Sequence, residues 1–169
     1  PSAERIRALL VEGEPGDLLN WTEALLMNAA RHELVERVIR PALAAGQWVI
    51  CDRYYHSTLA YQGGGLGLDQ SKLEALIDMA TDGVEPDLLL AFALSTDAAL
   101  TRAREREDEE KRFEAREDSY HVRVRAAYTT VLRDASARGP TCEIDASGAI
   151  EEVEARVQQA LTQQFPEAL

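Results

Sequence analysis

The chain has 169 residues, 46% hydrophobic, 28% charged and 6% aromatic, and its 30 acidic against 18 basic side chains leave a formal charge of -12. That length suits a single domain with a core of its own, since chains of about 150 residues bury roughly 68–70% of their unfolded surface. The acidic balance argues against nucleic acid or an anionic membrane as the main partner, no apolar run approaches the roughly 20 residues that span a bilayer, and PSAERIRALL carries no signal-peptide pattern, so the expectation is a cytoplasmic protein.

In chain order, the first strong pattern is the helix from Thr22, TEALLMNAARHELVERVIR, with Leu34, Val35, Val38 and Ile39 on one stripe. Pro41 kinks or restarts it and Gly46 ends it. QWVICD at 47–52 and DLLLAFAL at 87–94 are short continuous apolar runs, the signature of strands buried on both faces. Between them, 69–81 has Asp69 as N-cap, Leu73, Leu76, Ile77 and Ala80 at helical spacing, and Gly83 as its stop. A third strand, TCEID at 141–145, lies between Gly139-Pro140 and the loop Ala146-Ser147-Gly148. A last helix carries Ile150, Val153, Val157 and Leu161 on one face. Strands alternating with helices imply an α/β fold, a parallel sheet with helices on both faces. Cys51 and Cys142 have no zinc-type spacing and read as buried free thiols. REREDEEKRFEARED at 104–118 has almost no apolar anchor, so it is either a solvated helix face or a mobile lid.

Ligands of open parallel sheets bind beyond the carboxyl ends of the strands. The run at 47–52 exits through Asp52-Arg53-Tyr54, placing an acid and an arginine there. Tyr61-Gln62 and Gly63-Gly64-Gly65 follow, a backbone able to approach something closely. Arg31 lies in a mostly apolar helix and is either a snorkelling surface residue or one that faces an anion.

DRYYHSTLAYQGGGLGLD, preceded by AARHELVERVIRPALAAGQWVIC, resembles the bacterial thymidylate kinase (dTMP kinase) family. The likeness extends through PDLLLAFAL, RARERE, KRFE, SYHVRVRAAY and IDASGAIEEV, and so covers nearly the whole chain. It implies a three-layer nucleoside monophosphate kinase-like domain over 1–169 with a lid at about 104–118. It implies ATP-dependent phosphorylation of dTMP to dTDP with Mg2+, and a homodimer for which the stripe Leu34/Val35/Val38/Ile39 is a candidate surface, if it is not core. By position, Arg53 resembles the arginine that holds the dTMP phosphate, and Arg31 the one at the thymine edge. Asp52 resembles the acid near the magnesium, directly or through water. Ser57 and Thr58 match thymine-lining positions, and Tyr61 and Gln62 the sugar- and base-side contacts. Met27 stands where members often stack a Phe on the base. Ala30 stands where many have an Asp, which leaves Arg31 without that orienting partner. In the lid, Arg106 and Arg112 are the leading candidates to stabilise the transferring charge, Arg104 and Arg116 the weaker ones. For any single one the competing role is a surface ion pair with a neighbouring Glu. Asp145, Ala146 and Ser147 resemble the loop that meets the adenine of ATP.

The family's G-x-x-x-x-G-K-[ST] phosphate loop does not occur in this sequence, which matches the family from just after the second strand. In that family's sheet the first strand lies between those at 47–52 and 87–94. A chain without it has two apolar edges and no centre. The expectation is therefore part of a longer kinase, because the substrate residues and lid arginines persist. The alternative is a short nucleotide-binding remnant that keeps the dTMP pocket and has lost catalysis. Met27 and Ala30 are the positions that would shift base choice.

Overall fold

The computed structural model describes residues 2–11, 16–94 and 116–167. The chain divides into two compact units, one of residues 1–85 and 109–131, the other of residues 86–108 and 132–169. The expected lid and its Arg104, Arg106 and Arg112 lie outside the described residues, Arg116 to Asp118 excepted.

In the first unit, α1 (Ser2–Val11) lies along α2 (Asn20–Leu34), with Ser2 Oγ donating to the Glu33 carboxylate. α2 does not run straight into the next turn. It passes into a π-helical segment, Val35–Ile39, and then α3 (Arg40–Ala44), whose first turn holds Pro41. Proline has no N–H for the preceding turn, and the wider π turn, in which the Arg40 N–H reaches Val35 O, absorbs that loss. The extra residue per turn also rotates the apolar stripe. Val35 and Ile39 are buried, whereas Val38, expected with them, faces solvent. Gly46 ends the helix as expected, at φ 71°. Gly46 N donates to Leu43 O at 2.9 Å and Gln47 N to Ala42 O at 3.0 Å, the paired bonds of a Schellman motif.

The segment 47–52 was expected to be a strand and is not one. A strand is a property of a pair, and among the described residues nothing offers 47–52 a ladder, so Gln47, Trp48, Ile50 and Asp52 are exposed, Ile50 at 97%, while Val49 and Cys51 are half-buried. Next come α4 (Tyr55–Thr58), a second π-helical segment (Leu59–Gly65) and α5 (Gln70–Thr81). The Asp69 carboxylate caps α5 by accepting from Lys72 N at 3.0 Å. The helix closes on Asp82 in the left-handed region, with Gly83 behind it. Leu73 and Ile77 of α5 pack with Ala24 and Tyr55 into one core cluster. A second cluster joins Ala60 of the π segment to Tyr120 and Val124 of α6 (Asp118–Arg138).

In the second unit, β1 (Leu89–Ala93) pairs in parallel with β2 (Thr141–Asp145), Leu89 opposite Thr141 and Ala93 opposite Asp145. α7 (Ile150–Gln164) packs on β2, its first turn held by the Glu152 carboxylate, which accepts from Ala149 N at 2.9 Å. The strand pair is less covered than its apolar run implies, because Phe92 is exposed; Ile150, expected on the inner face of α7, is exposed as well. Both cysteines are free thiols, half-buried rather than fully buried. Burial pushes the Cys51 thiol up. Among the described residues no helix is long and apolar enough to cross a membrane.

Candidate functional site

Two arginines define the site, both in the first unit. Arg31 belongs to the last turns of α2 and is 7% exposed, so it is not a snorkelling surface residue. Its Nη1 donates to Asn28 Oδ1 at 2.6 Å and its Nη2 to Thr58 Oγ1 at 2.7 Å, tying α2 to α4. Its guanidinium carbon stands 5.9 Å from the centre of the Tyr54 ring. Burial lowers its pKa to about 10. The loss of an aspartate at Ala30 therefore does not leave Arg31 unheld. Asn28 and Thr58 orient it instead.

Arg53 is exposed and sits at φ 62°, a conformation in which a residue with a Cβ is strained. Its Nη1 donates to Tyr61 Oη at 2.9 Å, and the Tyr61 ring lies 5.4 Å from the guanidinium. Among the described residues neither Arg31 nor Arg53 meets a carboxylate within ion-pair distance, in a chain with 30 acidic side chains. Arg37, Arg40, Arg116, Arg133 and Arg156 do, whereas Arg123 of the same unit also lacks a carboxylate and is spent on Gly65 O and Ser119 Oγ.

The π turn after α4 arranges the rest. Ser57 Oγ lies 2.8 Å from Tyr128 Oη of α6, and the Tyr61 ring meets the Tyr128 ring edge-on at 6.0 Å. Thr58 is fully buried, its hydroxyl spent on Arg31. Gln62 is buried too, its Nε2 donating to Glu23 Oε1 at 3.0 Å. Thr58 and Gln62 are thus both buried, each hydrogen-bonded to another buried side chain. Met27 precedes Arg31 by four residues in α2 and so shares its face of the helix. Asp52 is exposed and makes no hydrogen bond or ion pair among the described residues.

Two of the three glycines, Gly64 and Gly65, lie close against α6. A Cβ on Gly64 would collide with Ala127 Cβ, and one on Gly65 with the Tyr120 ring and, at 2.7 Å, with Val124. Arg123 Nε closes this contact by donating to Gly65 O at 3.0 Å. Arg116 is not in an i, i+4 surface pair. It reaches Glu23 Oε2 at 2.7 Å, with Glu23 completely buried. In the second unit, Asp145 Oδ1 accepts from Ser147 N at 2.9 Å, Ala146 is buried, and Arg156 donates to the carbonyls of Asp145 and Ser147. Hydrogen bonding from the Ser147 side chain and then from its N–H, with the Arg156 charge nearby, holds the Asp145 carboxyl below its usual range.

Residue types alone did not single out Asn28, Glu23 or Tyr128. Glu23 and Asn28 fall inside the helix that starts at Thr22, where a polar residue reads as a surface position. Among the described residues no cluster of His, Cys, Asp and Glu is able to hold a metal by itself.

The model of the family described as "Thymidylate kinase" matches residues 1–157. The chain is 43% identical over 157 residues to the thymidylate kinase of Magnetococcus marinus, covering 93% of this chain and 74% of that protein. It is 41% identical over 166 residues to that of Chromohalobacter salexigens, covering 98% and 77%. To that of Cereibacter sphaeroides it is 44% identical over 165 residues, covering 95% and 75%. This is a nucleotide kinase lineage. The chain belongs to the thymidylate kinase family.

Proposed function

We propose that the protein transfers the γ-phosphoryl group of ATP to the 5′-phosphate of dTMP, giving dTDP and ADP. An oxygen of the dTMP phosphate attacks the γ-phosphorus, the bond to the ADP oxygen breaks, and no protein nucleophile is needed. The protein's part is positioning and charge neutralisation. The observation that carries the reading is the pair of arginines free of carboxylates, one exposed and one buried, on a single module of a thymidylate kinase family chain.

In this reading Arg53 takes the 5′-phosphate, for which its forked donors are suited. Its strained backbone and the Tyr61 hydroxyl fix its direction. Arg31 takes the thymine edge, Met27 and Ser57 border the base, and Tyr61 stands beside the sugar. Thr58 holds Arg31, and Gln62, through Glu23, holds the π turn. Magnesium bound with ATP supplies further neutralisation of phosphate charge. It is typically held by one or two carboxylates together with substrate phosphates, and the unengaged, exposed carboxylate of Asp52 fits that role. Arg106 and Arg112, with Arg104, are assigned to the transferring charge, and Asp145, Ala146 and Ser147 to the adenine side. The chain as a whole is read as one nucleoside monophosphate kinase-like domain of the three-layer parallel type, cytoplasmic and homodimeric.

The test is a coupled assay of ADP release from MgATP with and without dTMP. Release that depends on dTMP is expected. A folded sample that binds dTMP without turnover would make the chain a binding module, and one that ignores dTMP altogether would end the assignment.

A further inference from the structure

Buried guanidinium groups ordinarily come with a carboxylate, because an uncompensated buried charge is costly. Arg31 has two neutral oxygens instead, Asn28 Oδ1 and Thr58 Oγ1. Asn28 is itself fixed from the other side: at 1% exposure, its Nδ2 donates to Ala24 O at 2.8 Å. That bond decides which end of the amide faces Arg31, since the flipped amide would set N–H against N–H and carbonyl against carbonyl. A relay thus runs from the α2 backbone through Asn28 to Arg31 and on to Thr58 of α4. Two of the five N–H groups of the guanidinium are spent on it, and three remain. Whatever meets them must bring acceptors and no donors. A ring carbonyl satisfies that condition and an amino group in the same place violates it.

We propose that Asn28 is a positioning and specificity-determining residue: it holds Arg31 without neutralising it, so that the charged fork selects a carbonyl over an amino group on the pyrimidine edge. The inference rests on the reading of dTMP as substrate. An aspartate at the same place would hold the guanidinium while weakening its pull on a ligand, and an alanine would release one of its two anchors.

The discriminating pair of substrates is dTMP and 5-methyl-dCMP, which present a carbonyl and an amino group at the same ring carbon. Wild-type protein is expected to favour dTMP in kcat/KM by about 100-fold or more, the range in which a site built around hydrogen bonds rejects a mismatched group. In Asn28→Ala the preference should fall by about tenfold, the scale of one lost hydrogen bond to a charged group, through a raised KM for dTMP with kcat within about threefold. Asn28→Asp keeps an oxygen for Arg31 and decides the question if the alanine variant does not fold. Its KM for dTMP should rise several-fold while circular dichroism stays that of wild type. Folded variants with wild-type KM and wild-type preference would overturn the role of Asn28 and leave the dTMP reading standing. A wild-type protein that takes both nucleotides equally would overturn this inference and leave the dTMP reading standing, whereas one that does not use dTMP would overturn the parent reading and this inference with it.

Discussion

The helical module around Arg31 and the two-stranded sheet of β1 and β2 come from one chain and differ inside: beside its apolar clusters the module buries a network of polar side chains, and the sheet unit, among the described residues, buries none. In the module, Glu23, Asn28, Arg31, Thr58 and Gln62 are all buried, and each spends a polar atom on another member or on nearby backbone. In the sheet unit the buried residues are apolar, Ile144, Ala146 and Ala160, while Phe92 and Ile150 stand in solvent. Buried polar networks are a poor source of net stability, because desolvation consumes most of what the bonds return, but they fix one geometry. The module is built for position. Among the described residues the sheet unit rests on ordinary burial around one ladder and leaves Phe92 and Ile150 in solvent.

The largest contrast should come from breaking each region at its characteristic point. Arg116→Ala removes the cation that compensates the buried Glu23 carboxylate and should cost about 3–5 kcal/mol in urea unfolding. Phe92→Ser, at the exposed position of β1, should stay within about 0.5 kcal/mol. Equal losses would mean that the module's network is not what holds it. Of middle size is a pair of glycine substitutions. Gly65→Ala drives a methyl into Tyr120 and Val124 and should cost about 1–3 kcal/mol. Gly139→Ala meets nothing within 4 Å and should be close to neutral by thermal melting. The smallest effect is one of pH. Burial pushes Tyr54 up to about 12 from its ordinary 10. The folded state therefore holds its proton after the unfolded state has released it, so this contribution is intact below about pH 10 and is lost between there and 12. Chemical denaturation across that window should show the decline, and Tyr54→Phe should flatten it.

What could be read from the sequence was what depends on local chemistry. The Asp69 cap and the Gly46 stop are set by residues within a few positions, and both stand where spacing put them. The apolar runs 89–93 and 141–145 became strands because each has the other. The equally apolar 47–52 did not, because β structure needs a neighbour that its own residues cannot announce. Val38 left its stripe for a similar reason, a π turn forced by Pro41 that a 3.6-residue period does not foresee. In the site, arginines and tyrosines in the DRYYHSTLAYQ block were conspicuous by type. Asn28, Glu23 and Tyr128 were not, since their meaning lies in partners that the chain brings in from afar: Thr58 meets Arg31 across 27 positions, Gln62 meets Glu23 across 39, and Ser57 meets Tyr128 across 71. The acidic surplus hid the essential point, that two arginines among so many carboxylates have been kept away from all those the structure describes.

That separation is the central claim, and calorimetric binding of dTMP and of thymidine to wild-type protein and to Arg53→Ala tests it most directly. The two ligands differ only in the phosphate. If Arg53 is held open for that phosphate, wild-type protein binds dTMP at least about tenfold more tightly than thymidine, as one charge-assisted contact implies, and Arg53→Ala binds the two alike while still binding thymidine as wild type does. Equal binding of both ligands by wild-type protein, or an undiminished preference for dTMP in the variant, would contradict it.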